Sequence, residues 1–290
     1  MSSFADCPLE VIELAIELLQ DDLNALKACS QTCTVLLPLC RKYIFQSVLL
    51  TSSQSIAYRA HQPWSPSTVT VIRPENWHFL ATNPTISEYV QKLTYIVSTY
   101  DFLKDDVPCV LERLHHVRSF NVINRKNWKL APPRLKDALL RVVQSRFITC
   151  LTISVVEFPI TAFLACVNLT DLSVSSIDSD FADVDEQESS TLISSDLDFD
   201  ATDVLVPRLR VFAYGFMGKR YAMNLLYAKR PNGGPLLDFT NIRRLSVYVE
   251  EQSNLAAAHA LVKTTNNLES LRYRGKHQKQ RLVLYLTYPC

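Results

Sequence analysis

The stretch Leu169-Thr170-Asp171-Leu172-Ser173-Val174 decides the fold. Its apolar side chains fall at the first, fourth and sixth positions, and the last two, being two residues apart, share one face of an extended strand. The spacing recurs as Val90, Leu93, Tyr95; as Val117, Phe120, Val122; and as Ile148, Leu151, Ile153. It returns as Leu209, Phe212, Tyr214; as Ile242, Leu245, Val247; and as Leu268, Leu271, Tyr273. The seven copies start 27, 31, 21, 40, 33 and 26 residues apart. Helically spaced runs lie between them, such as Leu135, Leu139, Val142, Val143 and Leu255, His259, Ala260, Leu261, Val262. A strand-then-helix unit of roughly 20–30 residues cannot cover its own apolar face, so neighbouring units must stack. The expected fold class is therefore α/β, with an irregular solenoid carrying a parallel sheet over residues 89–290. An ordinary α/β sheet with similar-looking strands is the other arrangement this pattern allows.

Composition narrows the classes further. With 290 residues, 48% apolar and 20% charged, the chain can bury a core in one large domain or two modest ones. Its formal charge of +1 advertises no global field for nucleic acid or membrane. The longest apolar runs are about five residues, against the ~20 that span a bilayer. Asp6 and Glu10 stand where a secretory signal needs basic and apolar residues. Eight cysteines are too sparse for a disulfide scaffold, and Cys29, Cys33, Cys40, Cys150 and Cys166 sit in apolar patterns that suit free thiols. A reduced intracellular protein, cytoplasmic or nuclear, is expected.

Residues 1–50 read as three short helices. Val11, Leu14, Ala15, Leu18 and Leu19 make one helical stripe, with Pro8 ahead of it. Asp21 or Asp22 can cap a second helix, which aligns Leu26, Cys29 and Cys33. Leu36, Leu39, Cys40 and Tyr43 make the third, with Pro38 tolerated in its first turn. Leu9, Ile12, Ile16 and Leu23 are left over as an outward apolar surface, available to a partner or to the rest of the chain. Residues 51–88 form a connector broken by Pro63, Pro66, Pro74 and Pro84, with a short helix over 75–81 that packs Trp77 and Leu80 inward.

The ordered set Pro8, Leu9, Val11, Ile12, Leu19, Asp21, Asp22, Leu23, Leu26, Cys29-Ser30, Cys33, Pro38 and Phe45 resembles an F-box of the kind found in many fungal proteins. It spans Pro8 to Leu50. An F-box head followed by degenerate leucine-rich repeats is a recognised family architecture. The resemblance implies the substrate-recognition subunit of a Skp–cullin–F-box ubiquitin ligase, in the ubiquitin conjugation pathway. The head would dock on the Skp adaptor, and through it a cullin, using Pro8, Leu9, Ile12, Ile16, Leu23 and Leu36. Cys7, Ala15 and Leu36 are smaller than the family's usual residues there. A repeat-only protein-binding scaffold without ligase function is the alternative.

In the repeats the third and fifth positions, and the residue after the sixth, point away from the core. Early copies offer Lys92, Thr94, Ser119, Asn121, Cys150, Thr152, Asp171 and Ser173, a mild strip. Late copies offer Arg244, Ser246, Tyr248, Ser270, Arg272 and Arg274, flanked by Arg210 and Arg243. Arg244, Tyr248, Arg272 and Arg274 are the candidate target-binding residues. Residues 177–207 hold ten acidic and no basic residues, while residues 208–290 hold 14 basic and four acidic. The first segment reads as a surface loop, which either has no role or lies over the basic repeats as a pseudo-ligand. The second suits an acidic or phosphorylated protein target. Tyr248, Tyr273 and Tyr285 interleave with basic residues there, but no nucleic-acid motif accompanies them.

Catalytic signals are missing from the sequence. The five glycines lie outside any nucleotide-binding spacing, and Cys29 and Cys33 have no nearby histidine to complete a zinc set. His115-His116 read as a helix-end pair, and no Gly-x-Ser-x-Gly elbow occurs. The expectation is a binding protein with no enzyme activity, no metal and no cofactor. The run Leu282–Leu286 is either a terminal strand or a broken repeat.

Overall fold

The computed structural model describes residues 7–51, 69–98, 101–102, 106–175, 205–215, 218–249, 252–275 and 282–285. The chain forms two compact units, Met1–Phe120 and Asn121–Cys290, so the expected boundaries at 50 and 88 both fall inside the first.

The first unit opens with three helices, α1 (Leu9–Leu18), α2 (Leu23–Thr32) and α3 (Leu36–Ile44). Asp22 starts α2, its carboxylate accepting from the backbone N–H of Asn24 at 3.1 Å and Ala25 at 2.9 Å. Pro38 occupies the first turn of α3, where its missing N–H leaves no bond unmade. The helices enclose a core of Ile12, Ile16, Leu26, Leu36, Cys40 and Ile44, with Leu23, Cys29, Cys33, Leu39 and Tyr43 packed around it.

This core reverses the expected orientation of α1. Ile12 and Ile16 are 5% and 4% exposed, while Val11, Leu14 and Leu18 of the supposed inner stripe are 53%, 60% and 79% exposed. Outside the side that carries Glu10, Glu13 and Glu17 the helix is apolar, so periodicity admits two inner faces. Helices α2 and α3 offer too little surface to cover more than one, and the narrow Ile12/Ile16 edge takes it.

The sheet starts earlier than residue 89. Strand β1 (Ser47–Thr51) pairs in parallel with β2 (Thr70–Ile72) on one side and β3 (Lys92–Val97) on the other. Phe45, Val48 and Leu50 have the same spacing as the seven copies, so β1 belongs to the series. Between β2 and β3 run α4 (Trp77–Thr82) and α5 (Pro84–Tyr89); Trp77 and Leu80 point inward as expected. The Trp77 indole N–H donates to the carbonyl of Ile72 at 3.2 Å. Within β3, Tyr95 is fully buried and donates its hydroxyl to the buried carboxylate of Asp101 at 2.9 Å, which also accepts from the Ser98 N–H at 2.7 Å. Helix α6 (Asp106–Arg113) follows, and β4 (Ser119–Asn127) begins just before the division between the units.

In the second unit, α7 (Pro133–Val143) buries Leu135, Ala138, Leu139, Val142 and Val143. The strands β5 (Cys150–Val156), β6 (Asp171–Val174), β7 (Val211–Tyr214), β8 (Arg244–Val249) and β9 (Ser270–Gly275) each pair in parallel with the next. Helix α8 (Gly218–Tyr227) joins β7 towards β8, and α9 (Gln252–Thr264) joins β8 to β9. In α9 the buried residues include Ala257 and Leu261, whereas His259 of the expected stripe is exposed. Strand β10 (Leu282–Tyr285) pairs antiparallel with β9, which makes the apolar run before the C-terminus a strand.

The repeated spacing lands in register. Leu151, Leu172, Phe212, Leu245 and Leu271 stand side by side, as do Ile153, Val174, Tyr214, Val247 and Tyr273. Through β8 these inward residues are buried. At each step one carbonyl accepts two N–H groups from the next strand. Thr149 takes those of Thr170 and Asp171, Thr170 those of Arg210 and Val211, Arg210 those of Arg243 and Arg244, and Arg243 those of Glu269 and Ser270. The first unit repeats the device at Gln46 and Gln91.

Replacing Tyr95 by Phe removes one of the donors to buried Asp101 and should cost about 1–3 kcal/mol in urea unfolding. The same change at exposed Tyr227 should stay within about 0.5 kcal/mol.

Candidate functional site

Alternation along the strands gives the second unit's sheet a polar face. Its first row runs Cys150, Asp171, Val211, Arg244 and Ser270; its second runs Thr152, Ser173, Ala213, Ser246 and Arg272. Tyr248 and Arg274 are paired beyond them. Arg244 and Arg272 are exposed and Tyr248 is half-buried, so three candidate target-binding residues share one face on neighbouring strands. The side chain of Arg274 lies outside the described residues, and its backbone is in register with Tyr248. Ser270 is buried rather than presented. In the first unit Lys92 is exposed and Thr94 half-buried, as their alternation requires.

The face is shallow where its side chains are small. Ser154 and Ser175 hydroxyls lie 2.7 Å apart in a hydrogen bond, and a Cβ on Gly215 would stand 2.9 Å from the Cβ of Ser175. Gly215 thus lets β7 approach β6 where β6 ends, its N–H donating to the Val174 carbonyl at 2.8 Å. The acidic stretch expected over 177–207 lies almost wholly outside the described residues, which resume at Leu205.

At the start of the strands lies a cleft of about 830 Å³, lined among others by Asn168, Thr170, Arg208, Arg210, Asn241 and Arg243. Each pair of polar residues there brackets a fully buried apolar one, Leu169, Leu209 or Ile242. Arg210 and Arg243 were legible as flanks of the strip. Arg208 and the asparagines were not, although each immediately precedes the first apolar position of a copy.

The six candidate adaptor-binding residues divide. Pro8 and Leu9 are exposed and Leu23 is half-buried, but Ile12, Ile16 and Leu36 form the helical core and are closed to a partner. The surface that sequence reasoning missed is Val11, Leu14 and Leu18, which give α1 an exposed apolar face, with Leu9 exposed separately at its first turn. The signal was present, since both edges of the helix carry apolar residues.

Titration sets the buried thiols apart. Burial pushes Cys166 up to about 12, partly opposed by the positive charge of Arg230, and its thiol donates to the carbonyls of Val143 and Ala162, each at 3.4 Å. Burial also raises Cys40, with Cys29 and Cys33 adding to the shift. Among the described residues no group of three histidine, cysteine, aspartate or glutamate side chains gathers in a metal-holding arrangement. No helix among them is long and apolar enough to cross a membrane.

No family model matches this chain, nor does any curated protein or solved structure.

Two outcomes follow from this geometry. Gly215→Ala should destabilise the protein by about 1–3 kcal/mol, read as a lower urea midpoint, because Ser175 is held by Ser154 and must move. For Cys166 the folded value lies above the unfolded one, so its contribution is complete below about pH 9 and is lost as pH rises towards 12. Cys166→Ala should flatten the fall in stability between pH 9 and 11, measured by urea unfolding at each pH.

Proposed function

We propose that the chain is a non-catalytic substrate receptor, an F-box-type head on a degenerate leucine-rich-repeat solenoid. The head docks on the Skp adaptor of a cullin ubiquitin ligase, and the repeats hold a target protein. The observation that carries this reading is the exposed apolar face of α1, formed by Val11, Leu14 and Leu18. At about 25 cal/mol per Å², apolar area left in water is a standing cost that a partner's groove would relieve. The in-register rungs of β5 to β9 support the solenoid half of the proposal, because each unit adds its strand beside the one before it.

The docking residues are then Val11, Leu14 and Leu18, with Pro8 and Leu9 exposed where the helix begins, and with Ile12, Ile16, Leu23 and Leu36 shaping the head from within. Arg244, Tyr248 and Arg272 present a cationic end of the sheet face to an acidic segment of the target, with Arg274 beside them in register. The chain's contribution to ubiquitin transfer is proximity, which makes an encounter between target and charged enzyme effectively unimolecular. It works in the cytoplasm or nucleus and needs no cofactor of its own.

One observation favours the repeat-only scaffold instead. Three of the residues that the F-box resemblance assigns to the adaptor are spent on the head's own core. Co-expression with the Skp adaptor separates the readings. The receptor should co-purify with it, and Leu14→Asp with Leu18→Asp should weaken the complex at least tenfold while leaving the thermal midpoint unchanged, since both side chains are exposed. Absence of a complex at micromolar concentration would overturn the receptor reading and favour the scaffold.

A further inference from the structure

We infer that the cleft at the start of β6, β7 and β8 is a binding site for a phosphate group, separate from the sheet face that carries Arg244 and Arg272. This inference stands or falls independently of the receptor reading, because it concerns a different set of side chains. The backbone places the site. The shared-carbonyl steps put Thr170, Arg210 and Arg243 side by side on successive strands. The residues two positions earlier, Asn168, Arg208 and Asn241, fall on the same side, since Leu169, Leu209 and Ile242 between them are fully buried. All six line the cleft.

The charge is what the fold does not require. Neighbouring strands lie about 4.8 Å apart, and like charges directly opposite one another are destabilising. Arg210 and Arg243 are nonetheless neighbours, and Arg208 joins them two residues before Arg210. Among the described residues no carboxylate lies within ion-pair distance of Arg208 or Arg210. Glu269 pairs with Arg243 at 3.4 Å, but both side chains are mostly exposed and the pair is screened. Asp238, the acidic residue lining the cleft, is already engaged. Its carboxylate accepts from the Thr240 N–H at 2.9 Å, the Thr240 hydroxyl at 2.6 Å and the Asn241 amide at 3.2 Å.

The donor set selects the ligand's chemistry. Guanidinium groups present forked N–H pairs that match the oxygens of a phosphate, and several such groups favour a dianion over a single carboxylate. The carbonyls of Thr170, Arg210 and Arg243 each take two N–H groups from the next strand, so these three turn no free lone pair towards an anion. A volume of about 830 Å³ exceeds what inorganic phosphate fills. The cleft therefore admits a phosphate carried on a larger body, either a phosphorylated protein segment or a soluble phosphate ester.

Calorimetric titration of the full chain tests the assignment, with pyrophosphate and with acetyl-Gly-Ser-Gly-amide in phosphorylated and unphosphorylated forms as probes. Saturable binding of pyrophosphate or the phosphorylated peptide is expected. It should weaken at least tenfold in Arg210→Gln and in Arg243→Gln and change less than twofold in Lys263→Gln, an exposed cation on α9 away from the cleft. The thermal midpoint of Arg210→Gln should stay level or rise, because removing one of two like charges relieves the fold. Preference for the phosphorylated peptide points to a protein segment as the source, and binding of pyrophosphate alone points to a soluble ester. Failure of both probes to saturate, or equal weakening in Lys263→Gln, would overturn the site.

Discussion

One carbonyl taking two N–H groups from the strand beside it is the constraint on which the rest of this molecule depends. It recurs at Gln46, Gln91, Thr149, Thr170, Arg210 and Arg243, always one residue before a strand begins. The step fixes register, and register decides which side chains face inward, because a slip of one residue turns every side chain to the opposite face. With register set, Leu151, Leu172, Phe212 and Leu245 form one buried row, and burying each such side chain contributes roughly 1.5–3 kcal/mol. Aromatic contacts reinforce the row, as where Phe212 meets Phe239 edge to face at 5.2 Å.

The same step organises what faces water. Side chains outside the apolar positions are held in columns without being needed for the core, so charge can collect there. Two collections result in the second unit, one on the polar face near β8 and β9, the other at the strand starts. The head of the first unit takes the other route to a surface, with α1 too apolar for its neighbours to cover. The proposed receptor uses both kinds of surface, an apolar one for a constant partner and a charged one for a variable target.

Much of this was legible in the sequence because strand faces repeat with a period of two and the copies keep that period. Leu169, Leu172 and Val174 predicted their own burial and that of five counterparts, the last copy burying only Leu268, and Asp22, Pro38, Trp77 and Leu80 each behave as local chemistry demands. The inner face of α1 was not legible. Ile12/Ile16 and Val11/Leu14/Leu18 both have helical spacing, and the choice belongs to the shape of α2 and α3 rather than to α1. The start of the sheet was missed because Phe45-x-x-Val48-x-Leu50 runs directly from a helix and lies 45 residues before the next copy. The strand starts were read only in part, since Asn168, Arg208 and Asn241 gain meaning when the columns bring them together. The direction of β10 follows from the pairing with β9, which an isolated apolar run does not encode.

The packing of Phe212 carries a consequence for how such a chain drifts over generations. Its ring sits between Leu172 and Leu245, neighbours in space that are 40 and 33 residues away along the backbone. A bulkier or slimmer substitute at 212 is best absorbed by an opposite change at 172, 245 or 239, not by anything close in sequence. Compensating exchanges should therefore travel across columns, and descendants of one ancestor would keep the total volume of a column while losing the identity of every member.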